Sequence, residues 1–242
     1  MQSWFNSAVM RLAALRGASL GACVALYGCG AYGPPPGATE QAHAVFGLWK
    51  VLLWTGIAVG VIVYALILWS VFAYRKRGDG VPPQFSRNPP LEITWTVIPL
   101  LIVGVLFLLT YRVERRVEAL AARPAVTVRV TAFRWSWRFS YQGSSKVLSG
   151  TPQQPPEMDL PVGQTVRFLV TSQDVVHSFY VPAFLFKRDA IPGVLNEFDL
   201  NIQKPGLYRG ECAEFCGLSH AQMLFTIKAV PARSFAAWVA SK

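Results

Sequence analysis

The sequence predicts a two-helix transmembrane hairpin followed by an all-β sandwich or barrel. Three observations predict it: two long uncharged apolar segments, alternating apolar and polar residues in the second half, and a composition that is 52% hydrophobic and only 15% charged. Soluble proteins carry about 25% charged residues, so the composition argues against a purely soluble enzyme. The net charge of +10 would suit nucleic-acid binding only if the basic residues lay away from membrane edges.

Residues 1–29 are predicted to be a secretory signal peptide. Arg11 and Arg16 precede an uncharged stretch that ends in Gly28, and a basic start followed by an apolar run and a small residue is typical of such signals. Cys29 ends the run Leu-Tyr-Gly-Cys, which resembles a lipoprotein signal, so a lipidated Cys29 and a plain signal peptide both stay open. Residues 30–44 contain three consecutive prolines and are predicted to be a linker.

Two segments are predicted to cross a membrane as helices, over residues 45–74 and 93–112. Each contains an uncharged run close to the ~20 residues that span the hydrocarbon core. The basic residues between them predict a cytoplasmic loop over 75–92. The signal peptide places the mature N-terminus outside, so two spans return the C-terminal part outside as well. We therefore expect a multi-pass protein of the bacterial cell membrane with a periplasmic C-terminal domain.

The periodicity changes after the second apolar segment, and residues 125–232 are predicted to form the β-domain. Residues 126–132 alternate in one phase and residues 133–141 in the other, which predicts a bulge or a bend. Further alternating runs cover 165–171, 198–202 and 223–229, separated by glycine and proline turns. Several short strands with such turns favour a sandwich or barrel.

Metal-binding side chains are concentrated in the segment ECAEFCGLSHAQM, residues 211–223. Thiolates and a thioether select copper, and imidazole suits it as well. His177, one of only three histidines, lies far upstream. Two thiolates can bridge two ions and leave each with one histidine and one weak ligand, so a binuclear copper centre fits this inventory better than a mononuclear one. A disulfide between the cysteines and a zinc site stay open as alternatives.

With these motifs the chain resembles subunit II of the haem–copper cytochrome c oxidases. The resemblance covers nearly everything after the signal, through LEITWTVIPLL, RWSWRFSY, DVVHSFYVPAF and RGECAEFCGLSHAQM. It implies a cupredoxin-like sandwich that holds the binuclear copper centre CuA. The ligands that it implies are Cys212 and Cys216 as bridges, His177 and His220 with one copper each, Met223, and the backbone carbonyl of Glu214.

The resemblance also implies roles for three further groups. Trp135 matches the residue at which electrons from cytochrome c enter, and its alternative is a strand residue that packs on the sandwich. The side chain of Glu214 matches a ligand of a magnesium ion at the boundary with subunit I. Glu92 matches a glutamate at the mouth of a proton path into subunit I, and its alternative is a carboxylate that favours a helix N-terminus.

The implied function is to take electrons from cytochrome c at CuA and pass them to the haem–copper site of subunit I. There oxygen is reduced to water and protons are translocated, so the expected partners are subunit I, other oxidase subunits, cytochrome c and the lipid bilayer. Arg134 departs from the family, which usually has glutamine there, and the domain after residue 124 has twelve basic and eight acidic residues. The remaining excess charge lies mostly at membrane edges, so nucleic acid is not needed to explain it.

Three rival functions are weighed against this one. A quinol oxidase subunit II would share the architecture without copper, and the intact ligand set argues against it. A membrane-anchored copper carrier would need only one helix. The copper domain of nitrous-oxide reductase normally lacks the hairpin, whereas a copper-containing nitric-oxide reductase stays open.

Overall fold

The computed structural model describes residues 33–76, 78, 80 and 86–241. The predicted signal peptide, Cys29 and the start of the linker lie outside these residues. The helices are α1 (Glu40–Ala73), α2 (Pro89–Val117) and α3 (Ala232–Ala240). The strands are β1 (Val126–Phe133), β2 (Ser136–Tyr141), β3 (Val147–Ser149), β4 (Glu157–Pro161), β5 (Thr165–Ser172), β6 (His177–Val181), β7 (Phe186–Ala190), β8 (Asn196–Asn201), β9 (Gly206–Cys212) and β10 (Leu224–Val230).

Helix α1 begins five residues before the predicted start, so residues 40–44 are helical and not part of the linker. The Thr39 hydroxyl accepts a hydrogen bond from the Ala42 N–H at 3.0 Å and caps the helix. The helix therefore begins before the uncharged run. Its backbone hydrogen bonds do not require apolar side chains.

Helix α2 begins and ends outside its predicted bounds of 93 and 112. Prolines occupy its first turn, where a missing N–H costs nothing, and Asn88 caps it by accepting from the Leu91 N–H at 3.3 Å. Its last turn carries Arg115 and Arg116, whose charges suit the helix C-terminus. Within the described residues, α1 and α2 are the helices long and apolar enough to cross a membrane.

The β-domain is a sandwich of two five-stranded sheets, as predicted. One sheet has the strand order β3-β2-β1-β5-β8 and the other β4-β10-β9-β6-β7. Their facing sides bury a core rich in aromatic rings, with Trp137, Phe179 and Phe225 fully enclosed. The phase change near residue 133 is a tight turn between β1 and the antiparallel β2, and not a bulge or bend within one strand.

Backbone contacts join the start of α1 to the sandwich. The Ala38 N–H donates to the Ala183 carbonyl at 2.8 Å, and Thr39 pairs with Ile202 as an isolated antiparallel bridge. Thr39 is fully buried as a result. The residues at the start of the hairpin are therefore joined to the edge of the sandwich by backbone hydrogen bonds.

Charged side chains join the end of α2 to the same domain. Arg167 pairs with Asp199 at 2.8 Å and donates to the Ala121 carbonyl at 2.7 Å. Glu118 accepts from Arg188 at 2.6 Å. These contacts orient the sandwich relative to the membrane-spanning hairpin.

The C-terminal helix α3 is a feature that the sequence analysis did not predict. Its Phe235 is buried, and Trp238 packs edge-on against Tyr141 with ring centroids 5.2 Å apart. The helix therefore covers the end of the sandwich near β2.

Candidate metal centre

Three neighbouring strands of one sheet bring the predicted ligands to a single edge. His177 is the first residue of β6, Cys212 is the last residue of β9, and Met223 directly precedes β10. In the sheet, Phe179 lies opposite Cys212, and Glu211 lies opposite Leu224. Because β9 is antiparallel to both neighbours, the start of β6, the end of β9 and the start of β10 meet at the same edge.

The loop between β9 and β10 adds the remaining donors. Cys212 Sγ and Cys216 Sγ lie 3.9 Å apart, and each thiol has its own imidazole. Cys212 Sγ is 3.8 Å from His177 Nδ1, and Cys216 Sγ is 3.6 Å from His220 Nδ1. Met223 Sδ lies 3.8 Å from Cys216 Sγ. The structure thus places two sulfur–imidazole pairs side by side.

These separations suit donors that share metal ions. Two ligands about 2.3 Å from one ion, at a tetrahedral angle, lie about 3.8 Å apart. A disulfide requires sulfur atoms about 2.05 Å apart, so the two thiols at 3.9 Å are not bonded to each other. The His177, Cys212 and Cys216 donors are all buried and lie within 4.8 Å of one another. This cluster is compatible with a copper site, since it joins soft sulfur to imidazole.

The two cysteines differ in how readily they ionise. Burial raises the pKa of Cys216 to about 12, and the neighbouring Cys212 adds to the effect. Burial also disfavours the Cys212 thiolate, but hydrogen bonds from His177 and from the protein around it outweigh burial and lower that pKa to about 7. Since metals bind thiolates, the hydrogen bonds that favour the Cys212 thiolate also favour metal binding by Cys212.

Asp174 is a functional residue that the sequence analysis missed. Its Oδ1 lies 2.9 Å from His177 Nε2, while its Oδ2 accepts from the Arg134 N–H at 2.8 Å. Burial opposes ionisation of Asp174, but these hydrogen bonds outweigh it and lower its pKa to about 2. A carboxylate on the far nitrogen orients a metal-binding histidine. The signal in the sequence was an aspartate three residues before His177.

The backbone of Glu214 faces the cluster, whereas its carboxylate contacts a lysine. Its carbonyl oxygen lies 3.2 Å from Cys212 Sγ. Its side chain is half exposed and pairs with Lys187 at 3.8 Å, pointing away from the sulfur cluster. The carboxylate and the carbonyl of Glu214 therefore face different partners.

Trp135 lies directly over the metal-binding loop. Its indole N–H donates to the Cys216 carbonyl at 3.1 Å, and its ring contacts the open face of Gly217. The residue is partly buried in the turn between β1 and β2. It therefore links the solvent-facing side of the turn to the backbone of a proposed ligand.

Glu92 lies far from this cluster, in the first turn of α2. Its carboxylate accepts from the Asn88 N–H at 3.1 Å, and Asn88 in turn accepts from the Leu91 N–H. This reciprocal arrangement is a variant of the capping box, with the carboxylate one residue further along the helix. The 29-residue helix separates Glu92 from the sandwich by about 40 Å, at 1.5 Å per residue.

Two protein families match the chain in succession. Residues 30–113 match the cytochrome c oxidase subunit II transmembrane domain, and residues 153–230 match the cytochrome c oxidase subunit II periplasmic domain. The probable cytochrome c oxidase subunit 2 of Streptomyces coelicolor is 39% identical over 82% of this chain and 75% of its own length.

Two further proteins are similar. The cytochrome c oxidase subunit 2 of Mycobacterium tuberculosis is 33% identical over 86% of this chain and 74% of its own length. The crystal structure of the periplasmic domain of subunit II of cytochrome oxidase from Bradyrhizobium japonicum matches 50% of this chain and 94% of its own, with 34% identity and a TM-score of 0.46.

Proposed function

The chain belongs to the cytochrome c oxidase subunit II family, and we propose that its sulfur–imidazole cluster is the binuclear copper centre of this subunit. As subunit II of a haem–copper oxidase, the chain accepts electrons from cytochrome c for subunit I. There oxygen is reduced to water and protons are translocated. The observation that carries the proposal is the pair of thiols 3.9 Å apart, each beside its own imidazole nitrogen.

The proposed ligands are of three kinds. Cys212 and Cys216 would be shared, and His177 and His220 would each bind one copper. The weak ligands would be Met223 and the Glu214 carbonyl. When bound, the copper pair supplies one-electron redox chemistry.

The role of the protein is to hold these donors in a fixed geometry and to shield them from water. Cys212, Cys216, His177 and Met223 are all buried. The Trp137 N–H donates to the Met223 carbonyl at 3.3 Å and ties the end of the loop to the aromatic core. Donors held on strand ends of a packed sandwich move little, and a site that changes shape little upon reduction favours fast electron transfer.

Metal analysis of the purified oxidase tests the proposal. We expect two copper ions and no zinc in each copy of this chain, in addition to the copper of the haem–copper site in subunit I, with no disulfide between Cys212 and Cys216. Elemental analysis normalised to chain concentration, together with thiol titration after metal removal, measures both quantities. Only one copper per chain beyond that of subunit I, or zinc in its place, would overturn the binuclear assignment.

Substitution of Trp135 tests where electrons enter. We expect Trp135→Ala to slow reduction by cytochrome c at least tenfold, equal to about 1.4 kcal/mol in the barrier, without loss of copper. The reason is that the indole reaches the Cys216 carbonyl and no ligand atom is removed. Stopped-flow reduction measures the rate. Trp238→Ala is the control, because Trp238 lies on α3 and its ring packs against Tyr141 of β2. Equal rates in both variants would exclude Trp135 from the path.

The surface beside Trp135 supports a donor that docks mainly through apolar contacts. Phe215 and Leu218, on the metal-binding loop, are 79% and 93% exposed. The acidic groups nearby have basic partners within the chain, since Asp174 pairs with Arg134 and Glu214 pairs with Lys187. We propose a cytochrome c with an apolar contact face as the donor.

Three finer assignments stay proposals. The half-exposed Glu214 carboxylate would bind a magnesium ion shared with subunit I, which fits its position outside the sulfur cluster. Glu92 would lie at the mouth of a proton path, although its capping box accounts for its position without that role. The chain is a membrane protein with a periplasmic-type domain, and we propose the bacterial inner membrane as its location.

A further inference from the structure

A cleft between the two membrane helices has no role in the functions described so far. It has a volume of about 360 Å³ and lies beside the sandwich, between the first turns of α1 and the last turns of α2. Its wall on α1 includes Gly47, Leu48 and Val51, and its wall on α2 includes Leu109, Arg112 and Arg116. The residues of each wall recur every three or four positions, so each wall is one helix face.

The cleft crosses the level at which the membrane surface lies. On α1 the uncharged run begins at Val51, directly after Lys50, and on α2 it ends at Tyr111, directly before Arg112. Trp49 and Trp54 lie at the same level, as expected of interfacial aromatic residues. One end of the cleft is therefore apolar and faces the hydrocarbon, while the other end is basic and faces the headgroups.

The basic end carries one uncompensated charge. Arg116 pairs with Glu40 at 2.9 Å. Arg112, one helical turn earlier on the same face, has no ion-pair or hydrogen-bond partner among the residues that the structure describes. A phosphodiester carries one negative charge and binds guanidinium well, so its charge matches the cleft.

The apolar end is open space. A Cβ atom added to Gly47 would meet nothing within 4 Å, so this glycine does not serve close packing of the two helices. The cleft continues from Gly47 between the side chains of Leu48, Val51 and Leu109. An acyl chain fits such a groove, and basic pockets between membrane helices bind anionic lipid headgroups.

We infer that this cleft binds an anionic phospholipid, with its phosphate at Arg112 and the upper part of one acyl chain over Gly47. The lipid would fill the groove where the hairpin meets the sandwich and would add apolar contacts to both helices. The site is independent of the metal centre, so loss of the lipid leaves the copper content unchanged.

Two variants of the oxidase complex test the two ends of the cleft separately. Arg112→Gln removes the charge, and its control is Arg115→Gln, which removes an arginine outside the cleft. Gly47→Leu fills the groove, and its control is Gly56→Leu, another glycine of α1 with open space around it. Leucine favours the helix over glycine, so neither glycine variant weakens α1.

Native mass spectrometry of the detergent-solubilised complex, titrated with dioleoyl phosphatidylglycerol, measures binding. We expect Arg112→Gln and Gly47→Leu to weaken binding of one lipid about fivefold or more, the effect of one interfacial charge, while both controls match wild type. Inorganic phosphate should not displace the lipid. The inference would be overturned if both arginine variants weakened binding equally, or if phosphate displaced the lipid. It would also be overturned if both glycine variants bound the lipid equally well, because another protein helix would then cover the groove.

Discussion

Replacing Cys216 with serine should leave the oxidase unable to take electrons from cytochrome c. Cys216 Sγ has three other donor atoms beside it, those of Cys212, His220 and Met223, at 3.9, 3.6 and 3.8 Å. A serine hydroxyl is a hard, protonated oxygen that copper disfavours. We expect copper affinity to fall by more than about 100-fold, the most that loss of a residue supporting a ligand costs. Copper analysis and stopped-flow reduction measure the two effects.

Glu214→Gln is the matched control on the same loop. It changes a half-exposed side chain but leaves the backbone carbonyl that faces Cys212. This variant should keep its full copper content. If Cys216→Ser instead retained two coppers, the cysteine would not be a bridging ligand and the binuclear assignment would be wrong.

Replacing Gly210 with alanine should destabilise the sandwich by about 3 kcal/mol, the upper part of the range for overpacked cores. Gly210 lies opposite Phe225 across β9 and β10, and an added Cβ would overlap the Phe225 ring. That ring is fully buried, stacks on Phe179 at 4.7 Å and meets Trp137 edge-on at 5.3 Å. It therefore has no direction in which to move. Thermal and urea denaturation followed by near-ultraviolet circular dichroism measure the loss.

A double-mutant cycle identifies the cause. Phe225→Leu removes the atoms that an alanine at 210 would overlap, so the two substitutions together should cost less than the sum of their separate effects. Leu207→Ala, on the same strand but 68% exposed, should change stability little. Additive costs for the Gly210 and Phe225 variants would show that the overlap is not the cause. Gly210 lies two residues before Cys212, so copper loading should fall with stability.

Local patterns explain why much of the site was predictable. Four of the donor side chains lie in the segment from Cys212 to Met223, both ends included. A short segment with this chemistry can be recognised without knowledge of the fold. Strands β1, β2, β5 and β10 were visible because one face of each is buried, which imposes alternation on the sequence. His177 was harder, since only the pairing of β6 with β9 brings it beside Cys212.

Features that depend on the meeting of distant segments were not predictable. The contact of Asp174 with His177 needs the strand geometry at the sheet edge. The turn after Phe133 carries no glycine or proline, so its change of phase resembled a bulge. The helices extend past their apolar runs because Thr39 and Asn88 cap them, and apolar content alone does not mark where a helix ends.

The bridge between Thr39 and Ile202 has a consequence for the order of biogenesis. A chain is synthesised from its N-terminus, so the segment that contains Thr39 is made long before Ile202, its bridge partner. Joining segments so distant in sequence delays folding, because the intervening chain must first be ordered. The start of the first helix therefore gains this partner only after β1 to β8 have been synthesised.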